Sequence, residues 1–175
     1  MVYLAYSKPN KCDGADMSAE GIRLLHLLLE YVGESTNVEL SRELSGRPYI
    51  IGRKDLDFNV SHSETLAVCA LSVGDGRVGV DVEPVASTVP PERQKRFSEK
   101  YFSENEKKLL ESDTSAFSRI WTTKEAYLKR IGRGIATDLS KVDTLSLADV
   151  ELVTLEREDH FITLCIGENV QFKII

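Results

Sequence analysis

Three short stretches hold residues whose types and spacing could do chemistry. In "RVGVDVEP" (77–84), Val78, Val80 and Val82 alternate with Gly79, Asp81 and Glu83. On a β-strand that alternation gives the valines one face and the two acids the other, roughly 7 Å apart. Such a D-x-E pair is either the wet face of an edge strand or a pair of hard oxygen donors waiting for a cation. "FNVSHSE" (58–64) puts Ser61, His62 and Ser63 in a turn between two apolar runs. A turn of that kind offers hydroxyls, an imidazole and backbone N–H groups to an anion. The same His62 could equally be an ordinary loop histidine. Serine-hydrolase chemistry lacks its G-x-S-x-G elbow here, and adjacent Ser and His do not make a nucleophile–base pair.

The third stretch is "FSRIWTTKEAYLKRIGRG" (117–134). At about 100° per residue, Phe117, Ile120, Trp121, Leu128 and Ile131 form one apolar stripe, with Lys124 in its middle. The ammonium either snorkels out of that face or stands beside a cleft and meets an anion there. Glu125 and Lys129 are spaced i,i+4, which by itself suits a solvated ion pair.

These residues need elements to hold them. Residues 2–6 have the look of a first strand, and 17–33 of a helix with Ser18 as N-cap and Gly33 as its stop. "LDFNVSHSETLAVCALSV" suits strand, turn, strand; "GDG" (74–76) suits a hairpin turn, with "RVGVDVEP" as the returning strand. Pro90 and Pro91 mark a break near the middle of the chain. Two helical stretches follow, the first ending in "SENEKKLLES", where Ser103 and Glu106 form a capping-box pattern. The remainder is strand-like: "KVDTLSL", "DVELVTLERE", "HFITLCIG" and "NVQFKI". Each half thus has a helix followed by strands. The expected fold is α+β, in two related halves, 1–85 and 86–175, each a helix on a small antiparallel sheet.

The 175 residues suffice for one well-buried core, and a hydrophobic fraction of 42% with 29% charged residues fits a globular protein. A net charge of −6 disfavours a phosphate backbone as main partner, so no nucleic acid is expected. Cys12, Cys69 and Cys165 have neither metal-ligand nor disulfide spacing, which points to a reducing, cytoplasmic compartment. No stretch approaches the roughly 20 apolar residues of a membrane span. The first residues lack the basic lead of a signal peptide.

Taken in order, "GRPYI" (46–50), "FNVSHS" (58–63), "VGVDVE" (78–83) and "WTTKEAYLK" (121–129), with the trailing "GRGI", resemble the motifs of the 4′-phosphopantetheinyl transferases. The likeness is to the larger, surfactin-synthetase-type branch, which is monomeric, and it implies two pseudo-symmetric halves with the active site between them. The resemblance implies transfer of the phosphopantetheine arm of coenzyme A to a serine of an apo acyl or peptidyl carrier protein. Adenosine 3′,5′-bisphosphate is released. It implies Mg²⁺ on Asp81, Glu83 and Glu125; a serine nucleophile also needs its proton taken, and Glu125 is the candidate base, directly or through a metal-bound water. Asp81, Glu125 and Lys129 are then the catalytic residues. Arg47, Ser61, His62, Lys124 and Lys129 bind the coenzyme. Arg47 stands where the family usually has Lys, keeping the charge but changing the geometry.

The chain is short for that branch, with only the first 45 residues ahead of "GRPYI", and the basic stretch that holds the coenzyme's 3′-phosphate is not found. Lys8, Lys11 and Arg23 are the candidate substitutes. "RQKRF" (93–97) is the candidate patch for the carrier. Two other functions compete: Mg²⁺-dependent hydrolysis of a phosphoanhydride by the same carboxylates, and non-catalytic binding of coenzyme A or a carrier protein.

Overall fold

The computed structural model describes residues 1–9, 16–133 and 138–175. Lys11 and Cys12, and the end of the "GRGI" motif, lie outside them. The first strand, β1 (Val2–Ser7), leads to α1 (Met17–Tyr31), a small ribbon of β2 (Leu40–Arg42) and β3 (Pro48–Ile50), then β4 (Leu56–His62), β5 (Ala67–Val73) and β6 (Gly79–Pro84). Three helices follow, α2 (Pro91–Tyr101), α3 (Glu104–Ser112) and α4 (Phe117–Ile131), and then β7 (Val150–Arg157), β8 (His160–Gly167) and β9 (Phe172–Ile174). The fold is α+β.

Periodicity explains how these elements stack. Leu24, Leu25, Leu28 and Leu29 give α1 one apolar face. Ala67, Cys69 and Leu71 of β5 pack against that face, while Val68 and Ala70 point the other way. On that second side they meet Val78, just before β6, and Val80 and Val82 of β6, with Ile162, Leu164 and Ile166 of β8. Strand β5 is therefore buried on both faces, which is why its sequence is an unbroken apolar run. The layers run α1, first sheet (β4-β5-β1-β9), second sheet (β6-β8-β7), α4.

Several expectations need correcting. "GDG" does not turn a hairpin: β6 pairs with β8, so the chain leaves the first sheet there and starts the second. The cap of α1 is Asp16, two residues ahead of the expected Ser18, whose N–H donates to the Asp16 side chain. "KVDTLSL" forms turns rather than a strand. The first sheet is not wholly antiparallel, since β9 joins β1 in parallel from the end of the chain.

The two sheets meet along a seam of side chains. Asp57, Asn59 and Ser61 share one face of β4 and reach across to β6. Asp57 accepts from the Val78 N–H at 2.8 Å, Asn59 from the Val80 N–H at 2.9 Å, and Ser61 donates to Asp81 at 2.8 Å. On the far side of β6, α4 lies almost in backbone contact. A Cβ built on Gly79 would fall 2.0 Å from the Ala126 carbonyl oxygen, so no other residue fits. Glycine at that point lets α4 come down onto the strand that carries Asp81.

Candidate active site

Close approach of α4 to β6 brings Glu125 and Lys129, one helical turn apart, over Asp81. Lys129 Nζ donates to Asp81 Oδ1 at 2.6 Å and to Ser61 Oγ at 2.7 Å. Ser61 in turn donates to the same Asp81 oxygen. The other carboxylate oxygen of Asp81, Oδ2, is buried and has no hydrogen-bond partner among the described residues. The acid-bearing face of β6 is thus no wet edge: Asp81 is 4% exposed.

The remaining acids are held under strain of charge. Burial raises the Glu83 carboxyl to about 7, with the charges of Asp81 and Glu125 adding to it and Lys129 opposing. Burial also pushes Glu125 above the usual carboxylate range, again helped by Asp81 and opposed by Lys129. Three acids therefore sit within electrostatic reach of one ammonium.

A cavity of about 600 Å³ opens beside them. Ser61, His62, Glu125 and Lys129 line it, together with Met17, Ser18 and Gly21 from the start of α1 and Leu40, Ser41 and Arg42 from β2. Ser18 Oγ lies 3.3 Å from His62 Nε2, so the first turn of α1 faces the end of β4 across the cleft. Ser18 was legible only as a helix-start residue, and nothing in its local sequence places it next to His62. Glu83 lines a separate, smaller cavity of about 250 Å³ with Arg93, Phe97 and Trp121. Within "RQKRF", Arg93 stacks over the Phe97 ring.

Two predicted coenzyme-binding residues are held by partners within the protein. Lys124 does not reach the cleft. It is completely buried, 2.8 Å from the equally buried Glu106, and donates to the carbonyls of Leu139 and Val142. The apolar stripe closes over it because Glu106 is there to receive the ammonium; that partner had read only as a capping-box glutamate. Arg47 stands in the cavity wall, but its guanidinium is committed to protein. It donates to Asp57 at 2.5 Å, to the carbonyls of Phe58 and Val78, and to the Lys129 carbonyl. It ties β4, α4 and the residue before β6 together, while Nε is buried and has no hydrogen-bond partner among the described residues. Of the candidates for a 3′-phosphate, Lys8 pairs with Glu158 and Arg23 with Glu20.

The donor set suits a hard divalent cation. Among the described residues, no three acidic, histidine or cysteine side chains close into a ready-made cage. Mg²⁺ ordinarily takes one or two carboxylates and completes its shell with water and substrate phosphate, so a full protein cage is not required. The unpartnered Asp81 Oδ2 and the charge-crowded Glu83 and Glu125 are the oxygens such an ion would satisfy.

The sequence profile of the 4′-phosphopantetheinyl transferase superfamily matches residues 77–170. Among curated proteins, the 4′-phosphopantetheinyl transferase gsp of Aneurinibacillus migulanus is 35% identical over 104 residues, covering 57% of this chain and 40% of its own. The transferase HetI of Nostoc sp. is 36% identical over 122 residues, covering 65% of this chain and 50% of its own. Sfp of Bacillus subtilis is 26% identical over 110 residues, covering 63% and 48%. The chain spans about half the length of the curated relatives it matches.

Proposed function

The chain belongs to the 4′-phosphopantetheinyl transferase superfamily, and from that membership and the cleft we propose that it moves the 4′-phosphopantetheine arm of coenzyme A to a serine of an apo carrier protein. The observation that carries the reading is the Lys129–Asp81–Ser61 contact at the edge of the cavity, with Glu125 beside it. The cavity falls in the range of about 300–1,000 Å³ typical of small-ligand sites.

In this reading the carrier's serine oxygen forms a new bond to the phosphorus that bears the pantetheine arm. The anhydride bond on the far side of that phosphorus breaks, and adenosine 3′,5′-bisphosphate leaves with the electron pair. Glu125 takes the hydroxyl proton, directly or through a bound water. Lys129, His62 and Ser18 supply positive charge and hydrogen bonds to the phosphate oxygens. Asp81, Glu83 and Glu125 would hold Mg²⁺, which supplies charge neutralisation on the diphosphate when bound.

The chain is read as two halves, 1–85 and 86–175, because the cleft takes Ser18, Ser61 and His62 from one and Glu125 and Lys129 from the other. A reducing, cytoplasmic setting fits Cys69 and Cys165, both buried and free. No described helix is long and apolar enough to cross a membrane. A monomeric state comes from the likeness to the larger branch.

Incubation of the protein with coenzyme A, Mg²⁺ and a panel of apo carriers, read by mass spectrometry, tests the assignment. Gain of the pantetheine arm by a carrier, lost in Asp81→Asn and Glu125→Gln, is the expected result. Cleaved coenzyme A with every carrier unmodified would show hydrolysis instead. Intact coenzyme A, bound but never used, would mark a binding protein.

A further inference from the structure

Lys129 stands between Asp81 and the cavity. Its side chain is 28% exposed and lines the cavity wall, whereas the Asp81 side chain is 6% exposed and does not line it. Anything that approaches Asp81 from the cavity meets the ammonium first. The ammonium also occupies the one Asp81 oxygen that is already satisfied, Oδ1, and shares Ser61 Oγ with it. A divalent ion on the unpartnered Oδ2 would share the carboxylate with the ammonium on Oδ1, and in a partly buried site the two cations repel each other across it.

Removing Lys129 from Asp81 without compensation is equally unfavourable, because the ammonium would leave its partner. The cavity offers the compensation. Lys129 is a flexible four-carbon arm rooted on α4, and its exposed side opens onto the space where a phosphate-bearing ligand would lie. We propose that Lys129 is an exchangeable counter-ion: it neutralises Asp81 while the site is empty, and passes to the ligand's phosphate when a divalent cation takes Asp81. The inference rests on the reading of Asp81, Glu83 and Glu125 as cation carboxylates. Its consequence is reciprocal coupling. A bound diphosphate that draws Lys129 away opens Asp81 to the cation, and a bound cation releases Lys129 to the diphosphate.

The experiment uses Mn²⁺ alone as probe, with no nucleotide, at pH 8. Free Mn²⁺ is followed by electron paramagnetic resonance during titration of the wild type and of Lys129→Met, which keeps the length of the arm and removes its charge. The variant is expected to bind Mn²⁺ at least about tenfold more tightly, the equivalent of 1.4 kcal/mol. Equal or weaker Mn²⁺ binding by a folded Lys129→Met overturns the exchange. A second measurement needs no variant: wild-type protein is acetylated with limiting reagent and Lys129 modification is counted by mass spectrometry. Added Mn²⁺ should raise modification of Lys129, because the displaced amine enters the cavity; unchanged or lower modification overturns the proposal. If neither protein binds Mn²⁺ even with coenzyme A present, the cation site itself is wrong, and the exchange falls with it.

Discussion

Lys124 Nζ lies 2.8 Å from the Glu106 carboxylate, and neither side chain has any exposure. Glu106 also accepts from the Ser103 N–H, the Thr144 N–H and the Thr144 hydroxyl, so the pair joins α3, α4 and the 139–144 loop in one network. Lys124→Ala leaves a buried, uncompensated carboxylate. It is expected to destabilise the fold by about 3–5 kcal/mol. The double variant Lys124→Met with Glu106→Gln should recover much of that loss. Urea denaturation measures both; a Lys124→Ala protein of normal stability but weakened coenzyme A binding would restore the phosphate-binding role to this lysine.

Gly79→Ala places a methyl group against the Ala126 carbonyl, where a Cβ would be 2.0 Å away. Backbone cannot swing aside as a side chain can, so α4 must lift from β6. A cost of about 1–3 kcal/mol or more is expected from overpacking. Because Glu125 and Lys129 travel with α4, turnover should fall further than stability. Paired melting and turnover measurements check this; full activity in a stable Gly79→Ala protein would show that close helix–strand approach is not what positions the pair.

The Glu83 carboxyl titrates near 7 instead of 4.5. Its folded-state value is raised, so its favourable contribution is complete below 4.5 and is lost as pH rises through about 7. With divalent cations chelated, the melting temperature should therefore decline across that window. Burial of Glu125 acts in the same direction. Glu83→Gln should flatten the decline, and added Mg²⁺ should reverse it by supplying the missing positive charge. A melting temperature that rises between these pH values would contradict the charge-crowding account.

Residues whose role is local were legible in the sequence. Alternation in "RVGVDVEP" placed three valines in the core, and i,i+4 spacing placed Glu125 and Lys129 on one helix face. Partnerships across large sequence separations were not. Lys124 was visible as an ammonium in an apolar stripe, but whether it faces a ligand or a buried acid depends on where α3 packs. Arg47 kept the charge of a phosphate-binding position, yet its acceptors come from β4, α4 and the residue before β6, and only the assembled fold brings those together. The turn at "GDG" misled for a related reason. Its residues suit a tight reversal, but the valines of β6 are better buried between the sheets than at the first sheet's edge.

The junction of β4 with β6 has one more consequence. Neighbouring strands in a ladder are joined by peptide groups, which every substitution except proline preserves. Here the attachment is made by the side chains of Asp57, Asn59 and Ser61. The gape between the two layers is therefore written in residue identity, and one-letter changes at alternate positions of a single strand can widen or narrow the entrance without disturbing either sheet's own backbone pairing.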